Sequence, residues 1–422
     1  MAARRRTRAT IALLVTGALA LLGSCTGGED EGGAGTTLSW FVAIQPGGSI
    51  QEVAKRCTEE SGGRYNVQLE LLPTDADTQR EQLVRRLGAE DSTVDIIGMD
   101  VIWTAEFANA GWLREWTGEA AAEVTRDTFD SVIETASFEG KLYGAPFNSN
   151  TELLWYRTDL VKEPPATWEE MIAEAERLDA DIQVQADRYE GYTVTVNTLL
   201  ESAGAQILDG ATEVSLEQGP TEQALAVLGR LASSPAAATD ISTSTEDSAR
   251  LGFETGGSAF MLNYTFALGS AQENAPDLAK NMGAAKLPAV AEGVPSAPPL
   301  GGFNLGVSAY SENPELAFEA ATCLAGPESQ LTAAELDGLP PSSEALYDDK
   351  VVRDAFPGFS EDIRRSIAAA AARPLTPAYT DHSLAIQRTL HPPSKIDPGD
   401  PSSTYDELRE RVEDAVKREG LL

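Results

Sequence analysis

The chain has 422 residues, 32 of them lysine or arginine and 66 aspartate or glutamate, for a formal charge of −34. So acidic a surface repels phosphodiester backbones and anionic headgroups, which excludes nucleic acid as a partner and disfavours electrostatic attachment to a membrane. Only two histidines, His382 and His391, are available, and no Gly-x-Ser-x-Gly elbow, phosphate-binding glycine loop or HExxH occurs. A histidine-based triad or a His-rich metal centre is therefore poorly supplied, and no metal or cofactor is expected.

Arg4, Arg5, Arg6 and Arg8 precede an apolar run, Ile11 to Leu22. That run is too short for a membrane span, which takes about 20 apolar residues, and reads as an export signal. Leu22-Gly23-Ser24-Cys25 puts a cysteine just after the small residues of a cleavage site. It resembles the bacterial lipobox, in which Cys25 is diacylated and begins the mature chain; a plain secretory signal with a chance cysteine is the other reading. Loss of residues 1–24 removes four arginines and takes the formal charge from −34 to −38. Residues 25–37 are Gly-rich, cannot bury a core and read as a flexible tether.

From Leu38 onward the chain is longer than one core usually serves, so two domains are expected. Leu38 to Ile44 reads as a strand, Ser49 to Ser61 as a helix and Val67 to Leu72 as a second strand. Thr78 to Leu87 follows as a helix and Asp95 to Met99 as a buried strand. Strands separated by helices predict an α/β fold with a largely parallel sheet, and ligands in such sheets lie beyond the carboxyl ends of strands. Asp100 stands there. Gly140 to Asn150 and Thr151 to Arg157 form an extended run through a Gly/Pro-punctuated joint, which reads as a crossing between lobes.

Thr167-Trp-Glu-Glu170 matches a capping box and opens a helix with Met171, Ala175 and Leu178 on one face. Another helix ends at Glu201 to Ala203 before Gly204. Glu246 to Gly256 reads as a helix, Ser258 to Asn263 as a strand, and Pro295 to Gly302 as a second crossing before a strand over Phe303 to Ser308. Outside the cytoplasm the remaining cysteines, Cys57 and Cys323, invite a disulfide; two separate buried thiols are the alternative.

The ordered set of Cys25, the Asp95 to Asp100 strand end, Gly144-Ala-Pro, Leu154-Trp-Tyr-Arg157, Pro165 to Glu170, Phe253 to Asn263 and Leu300-Gly-Gly resembles the family 1 extracellular solute-binding proteins of ABC importers, the maltodextrin-binding group. Within it, Asn150 to Arg157, Tyr189-Glu-Gly191, Asn197 to Gly204, Arg373 to Tyr379 and Ser383 to Gln387 resemble the trehalose-binding lipoproteins. The resemblance implies a two-lobed α/β periplasmic-binding-protein-like fold of type II. The lobes would be 38–148 plus 303–345 and 149–302 plus 346–422. They would close on a disaccharide and hand it to ABC permease subunits, from a monomer anchored to the outer face of the cell membrane through lipid on Cys25.

Sugars present hydroxyls and apolar faces, which carboxylates, amides and aromatic rings recognise. The resemblance assigns hydroxyl contacts to Asp100, Asn150 and Glu246, an aromatic wall to Tyr264, backbone contacts to Leu300 and Gly301, and a guanidinium fork to Arg373. Each has a plainer role: Asp100 as a helix cap, Asn150 as a turn residue, Glu246 as a first-turn acid, Tyr264 as core, Gly301 with Gly302 as hinge, Arg373 in a surface ion pair. Trp103, Gln45 and Tyr379 lie near the expected cleft, whereas Trp155 reads as strand core. Two other readings remain, the same scaffold serving maltose, a polyol or a glycerol phosphodiester, and a surface-anchored glycoside hydrolase using Asp100 and Glu246.

Overall fold

The computed structural model describes residues 35–73, 75–291 and 293–417. Cys25, the export signal and the tether as far as residue 34 lie outside the described residues. The opening strand is Thr36–Ala43. Two residues assigned to the tether, Thr36 and Thr37, already belong to it, because β-branched threonines suit an extended chain and their backbones pair with Tyr65 and Asn66. The Ser49–Glu60 helix, Tyr65–Leu72 strand, Ala76–Gly88 helix and Ile96–Asp100 strand then follow in the expected order.

Trp40 and Val42 enter one apolar cluster with Ile96, while Phe41 enters another with Ile97 and Met99. A strand buried on both faces must be apolar throughout, which is why these segments read as unbroken runs. The first sheet has the order Ala371–Ala372, Pro299–Val307, Ile96–Asp100, Thr36–Ala43, Tyr65–Leu72, with Gly144–Asn150 also pairing to Pro299–Val307. Its three strands nearest the N-terminus are parallel, but Pro299–Val307 runs antiparallel to both Ile96–Asp100 and Gly144–Asn150.

The second sheet has the order Met282–Ala285, Leu153–Arg157, Ser258–Asn263, Asp181–Gln183, and only its last pair is parallel. A largely parallel sheet thus describes only part of the first. Thr151 and Glu152 carry the chain directly from Gly144–Asn150 into Leu153–Arg157. The second sheet is therefore entered by an extended crossing instead of a helical return, and nothing forces its strands parallel.

The ladder of the first sheet also reaches further than the sequence suggests at both crossings: Gly301 pairs with Asn150 and Gly302 with Ser149. Pro299 occupies the first position of its strand, where a missing N–H is tolerated, so the strand starts ahead of Phe303. At Gly302 φ is +126°, and a Cβ there would strike the Asn148 carbonyl, so this bend requires glycine.

The second sheet packs its Leu154 and Phe260 against Trp168, Met171 and Ala175 of the Trp168–Leu178 helix. That helix begins with the expected capping box between Thr167 and Glu170, worth about 1 kcal/mol. The same core takes Tyr192, Val196 and Leu199 from the Glu190–Ala203 helix and Ile386 and Leu390 from the Tyr379–Leu390 helix. Trp155 is fully buried and donates its indole N–H to the Asn263 carbonyl at 3.0 Å.

Cys57 of the Ser49–Glu60 helix is disulfide-bonded to Cys323 of the Pro314–Leu324 helix, with Cα atoms 5.8 Å apart and a sequence separation of 266. A cross-link closing so long a loop restricts the unfolded chain, typically by about 2–4 kcal/mol. Replacing both cysteines by serine is expected to lower the unfolding free energy by about that amount in urea titrations; an unchanged midpoint would show that the link contributes nothing.

Candidate ligand-binding site

Asp100 ends its strand, and the chain turns there through Val101–Trp103. Its Oδ1 accepts from the Ile102 amide at 3.2 Å, the capping role, and also from Arg373 Nη2 at 3.1 Å. The capping reading of the residue holds, and the same oxygen also engages Arg373. Arg373 follows the short Ala371–Ala372 strand, whose pairing with Pro299 and Leu300 delivers the guanidinium to this point.

Arg373 is not a surface residue: its side chain is 3% exposed, and Nη1 donates to Glu190 Oε1 at 2.6 Å. The guanidinium also lies over the Tyr379 ring, 5.8 Å from its centroid. Burial opposes its charge, but Asp100, Tyr379 and Glu190 hold its pKa above the usual arginine range. Arg373 Nε has no hydrogen-bond partner among the described residues.

Glu190 begins the Glu190–Ala203 helix, where the helix dipole favours an anion. It accepts from Arg373, from the Tyr379 hydroxyl and, at 2.6 Å, from Ser383 Oγ. Burial pushes its carboxyl up to about 7 against the pull of those three donors. Its backbone amide serves the Asp77 carboxylate of the Ala76–Gly88 helix, a group raised by burial and by Asp75. Strands and helices of both halves therefore meet around Arg373 and Glu190.

Glu246 is the first residue of the Glu246–Glu254 helix, capped by Thr245, and burial raises its pKa. Tyr189 donates its hydroxyl to Glu246 Oε2 at 2.6 Å. Asn263, at the end of its strand, donates to the Glu246 carbonyl at 2.9 Å and accepts from the Tyr264 amide at 2.8 Å. One buried amide thus sets the positions of Glu246 and Tyr264 together. Tyr264 is half-buried, and its phenol, raised chiefly by burial, lies in the combined field of Glu152, Arg373, Glu246 and Asp100.

Asn150 Oδ1 accepts from Asn148 at 3.0 Å, and the residue faces Gly301 across the ladder, where a Cβ on the glycine would sit 3.4 Å from Asn150 Cβ. Leu300 puts its side chain into a core with Leu153, Trp155 and Phe359 and lends only its backbone, paired with Ala372. Trp103 is buried and stacked on Phe107 at 6.0 Å, and Gln45 sits half-buried in its turn.

Not singled out from the sequence were Glu152, Gln185, Glu190, Asn263, Asp75 and Asp77. A signal existed for two. Glu152 shares the period of buried Leu154 in a strand-like run, and Glu190 heads a helix whose following residues are nearly all buried. The assembled groups are acids and amides, with one guanidinium already balanced by two carboxylates. Such a set suits a neutral ligand rich in hydroxyl groups.

Two sheets joined by extended crossings, with polar side chains from both meeting at one locus, define a two-lobed α/β binding protein. Residues 44–331 match the model of the bacterial extracellular solute-binding protein family. A probable ABC transporter-binding protein of Deinococcus radiodurans is 30% identical over 326 residues, 74% of this chain and 76% of the relative. An uncharacterized lipoprotein in the oleD 5' region of Streptomyces antibioticus is 26% identical over 219 residues, 49% of this chain and 48% of that one. Among solved structures, maltose-bound MalE3 of T. maritima superposes with a TM-score of 0.82 at 23% identity, covering 90% of this chain and 99% of that one. The GacH receptor of Streptomyces glaucescens, solved unliganded and with acarbose, gives 0.80 at 20% identity, covering 92% and 100%. The chain belongs to the bacterial extracellular solute-binding protein family.

Replacing Arg373 by methionine leaves Glu190 and Asp100 without their cation, and breaking a buried pair in this way typically costs about 3–5 kcal/mol. The lost stability should return partly as the pH falls from about 7 towards 5, because an acid whose folded pKa lies above its unfolded value destabilises the fold only when ionised. Urea unfolding of the variant at several pH values checks this; a loss independent of pH would contradict it.

Proposed function

We propose that the protein is the lipid-anchored substrate-binding component of an ABC sugar importer. It captures a disaccharide, trehalose, by closure of its two lobes and passes it unchanged to the permease. The lobes are proposed to be 38–148 plus 303–345 and 149–302 plus 346–422, with Cys25 as the lipid-bearing residue and the monomer as the working form.

The observation that carries the reading is that Asp100, from the end of a first-sheet strand, and Glu246, from beside the second sheet, both act on the Tyr264 phenol. In this reading Asp100, Asn150 and Glu246 take sugar hydroxyls, Tyr264 offers a ring face, Gly301 permits close approach beside Asn150, and Arg373 fixes Asp100. Family membership, the ABC transporter-binding relative of Deinococcus and the maltose and acarbose bound to the two structural neighbours support it. A lipoprotein relative supports the anchor.

A phosphorylated solute is disfavoured by charge. Arg373 is already engaged by Asp100 and Glu190, while Asp75, Asp77, Glu152 and Glu246 stand nearby. The reading as a binder and not a hydrolase is supported by membership of a solute-binding family and by the Deinococcus relative, a probable ABC transporter-binding protein.

Calorimetry with trehalose, maltose, a polyol and a glycerol phosphodiester tests the assignment, followed by chromatography of the recovered sugar. Trehalose should bind and be recovered intact, and Asp100→Ala or Glu246→Ala should each weaken it roughly 10- to 100-fold with the fold retained. Free glucose in the eluate, or binding of the phosphodiester alone, would overturn the proposal.

A further inference from the structure

Glu152 is nearly fully buried at the crossing between the sheets, yet it forms no ion pair among the described residues. Its Oε1 lies 2.9 Å from Gln185 Nε2, and Thr198 Oγ1 donates to its Oε2 at 3.4 Å. Gln185, also buried, places Oε1 3.0 Å from the Tyr189 hydroxyl, which is in turn 2.6 Å from Glu246 Oε2 and accepts from the Glu246 amide at 3.2 Å. Four side chains thus make one chain of contacts from a buried acid to the carboxylate proposed to face the ligand.

The hydrogens along this chain can be counted. Tyr189 has one hydroxyl hydrogen, so it cannot donate both to Gln185 Oε1 and to Glu246. If both acids were ionised, one contact would set two acceptors against each other in a buried place, which is costly. Exchanging the oxygen and nitrogen of the Gln185 amide moves no heavy atom and reverses both of its bonds. Every contact is then satisfied: protonated Glu152 donates to Gln185 O, Gln185 N–H donates to Tyr189, and Tyr189 donates to ionised Glu246. In the opposite sense, Glu246 holds the proton, donates to Tyr189, and Glu152 is ionised. Each arrangement needs one proton on the pair.

We propose that Glu152 and Glu246 share a single proton through Gln185 and Tyr189, which makes Glu152 a positioning residue for the ligand-facing carboxylate. The surroundings agree. Glu152 is pushed up to about 7 by burial and by the Glu246 charge, with Arg373 pulling the other way. Glu246 is raised by burial, Asp247 and Asp75, and lowered by the Tyr189 hydroxyl and its own backbone. Tyr264 faces both acids, and with them Arg373 and Asp100. A Cβ on Gly191 would overlap the Tyr189 hydroxyl and the Gln185 amide, so glycine there leaves room for their contact.

Sugar hydroxyls donating to Glu246 favour its ionised form and draw the shared proton to Glu152. When Glu152 loses that proton above about pH 7, Gln185 N–H turns to it and Tyr189 donates to Gln185 instead of Glu246, so Glu246 loses the donor that fixes it and affinity should fall. This consequence rests on the sugar-binding reading, whereas the shared proton does not.

Two measurements separate them. Infrared spectra of the purified free protein should show the carbonyl stretch of a buried, protonated carboxylic acid that disappears near pH 7 and is absent in Glu152→Gln. No such band, or one that persists in Glu152→Gln, overturns the proposal. Calorimetry with trehalose should show about a tenfold loss of affinity between pH 6 and 8.5 in the parent. Glu152→Gln, whose amide donates as the protonated acid does, should keep the pH 6 affinity and lose the pH dependence. Tyr189→Phe should bind weakly at every pH without that slope, and this variant decides the matter if Glu152→Gln does not fold. A parent slope retained in either variant contradicts the shared proton. If trehalose does not bind at all, the sugar assignment fails and the infrared result still stands or falls alone.

Discussion

A guanidinium buried between carboxylates of different origin organises this molecule. Arg373 reaches Asp100, at the end of a first-sheet strand, and Glu190, at the start of a helix packed on the second sheet. An isolated arginine charge in such a place would cost several kcal/mol, and Asp100 and Glu190 offset it. Tyr379 and Ser383 complete the shell of Glu190. Each sheet has its own apolar core, a further apolar cluster joins Phe129, Val132 and Ala334 to Trp155 and Met261, and this polar cluster also draws side chains from both halves.

The placement of the cluster follows from how the chain is routed. Site residues stand at strand ends and first turns of helices: Asp100 and Asn263 close strands, Glu190 and Glu246 open helices, and Arg373 leaves a two-residue strand. Such positions have backbone groups left over from regular structure, and acids there are favoured by helix dipoles. Crowding of acids is the consequence, relieved by one arginine, by tyrosine and serine hydroxyls, and by burial that keeps some carboxyls protonated near neutral pH.

Much of this was legible in the residues. Continuous apolar strands, the Thr167 capping box, the Ser258–Asn263 strand and the position of Asp100 beyond its strand all follow from local periodicity and turn chemistry. The direction of the second-sheet strands was not legible, because pairing sense depends on where the chain crosses and not on any one segment. Nor did the sequence distinguish Arg373 as buried, since its partners lie 183 and 273 residues away. Glu152 and Glu190 sat in plain view beside buried residues, but an acid next to apolar neighbours gains meaning only once Gln185 or Arg373 is placed against it.

The most direct test of a site built from both halves is a crystal structure of the protein with trehalose. The account predicts the sugar held by Asp100, Asn150 and Glu246 against the Tyr264 ring, with Arg373 still joining Asp100 to Glu190. A sugar seated elsewhere, or touching residues of one half alone, would contradict it.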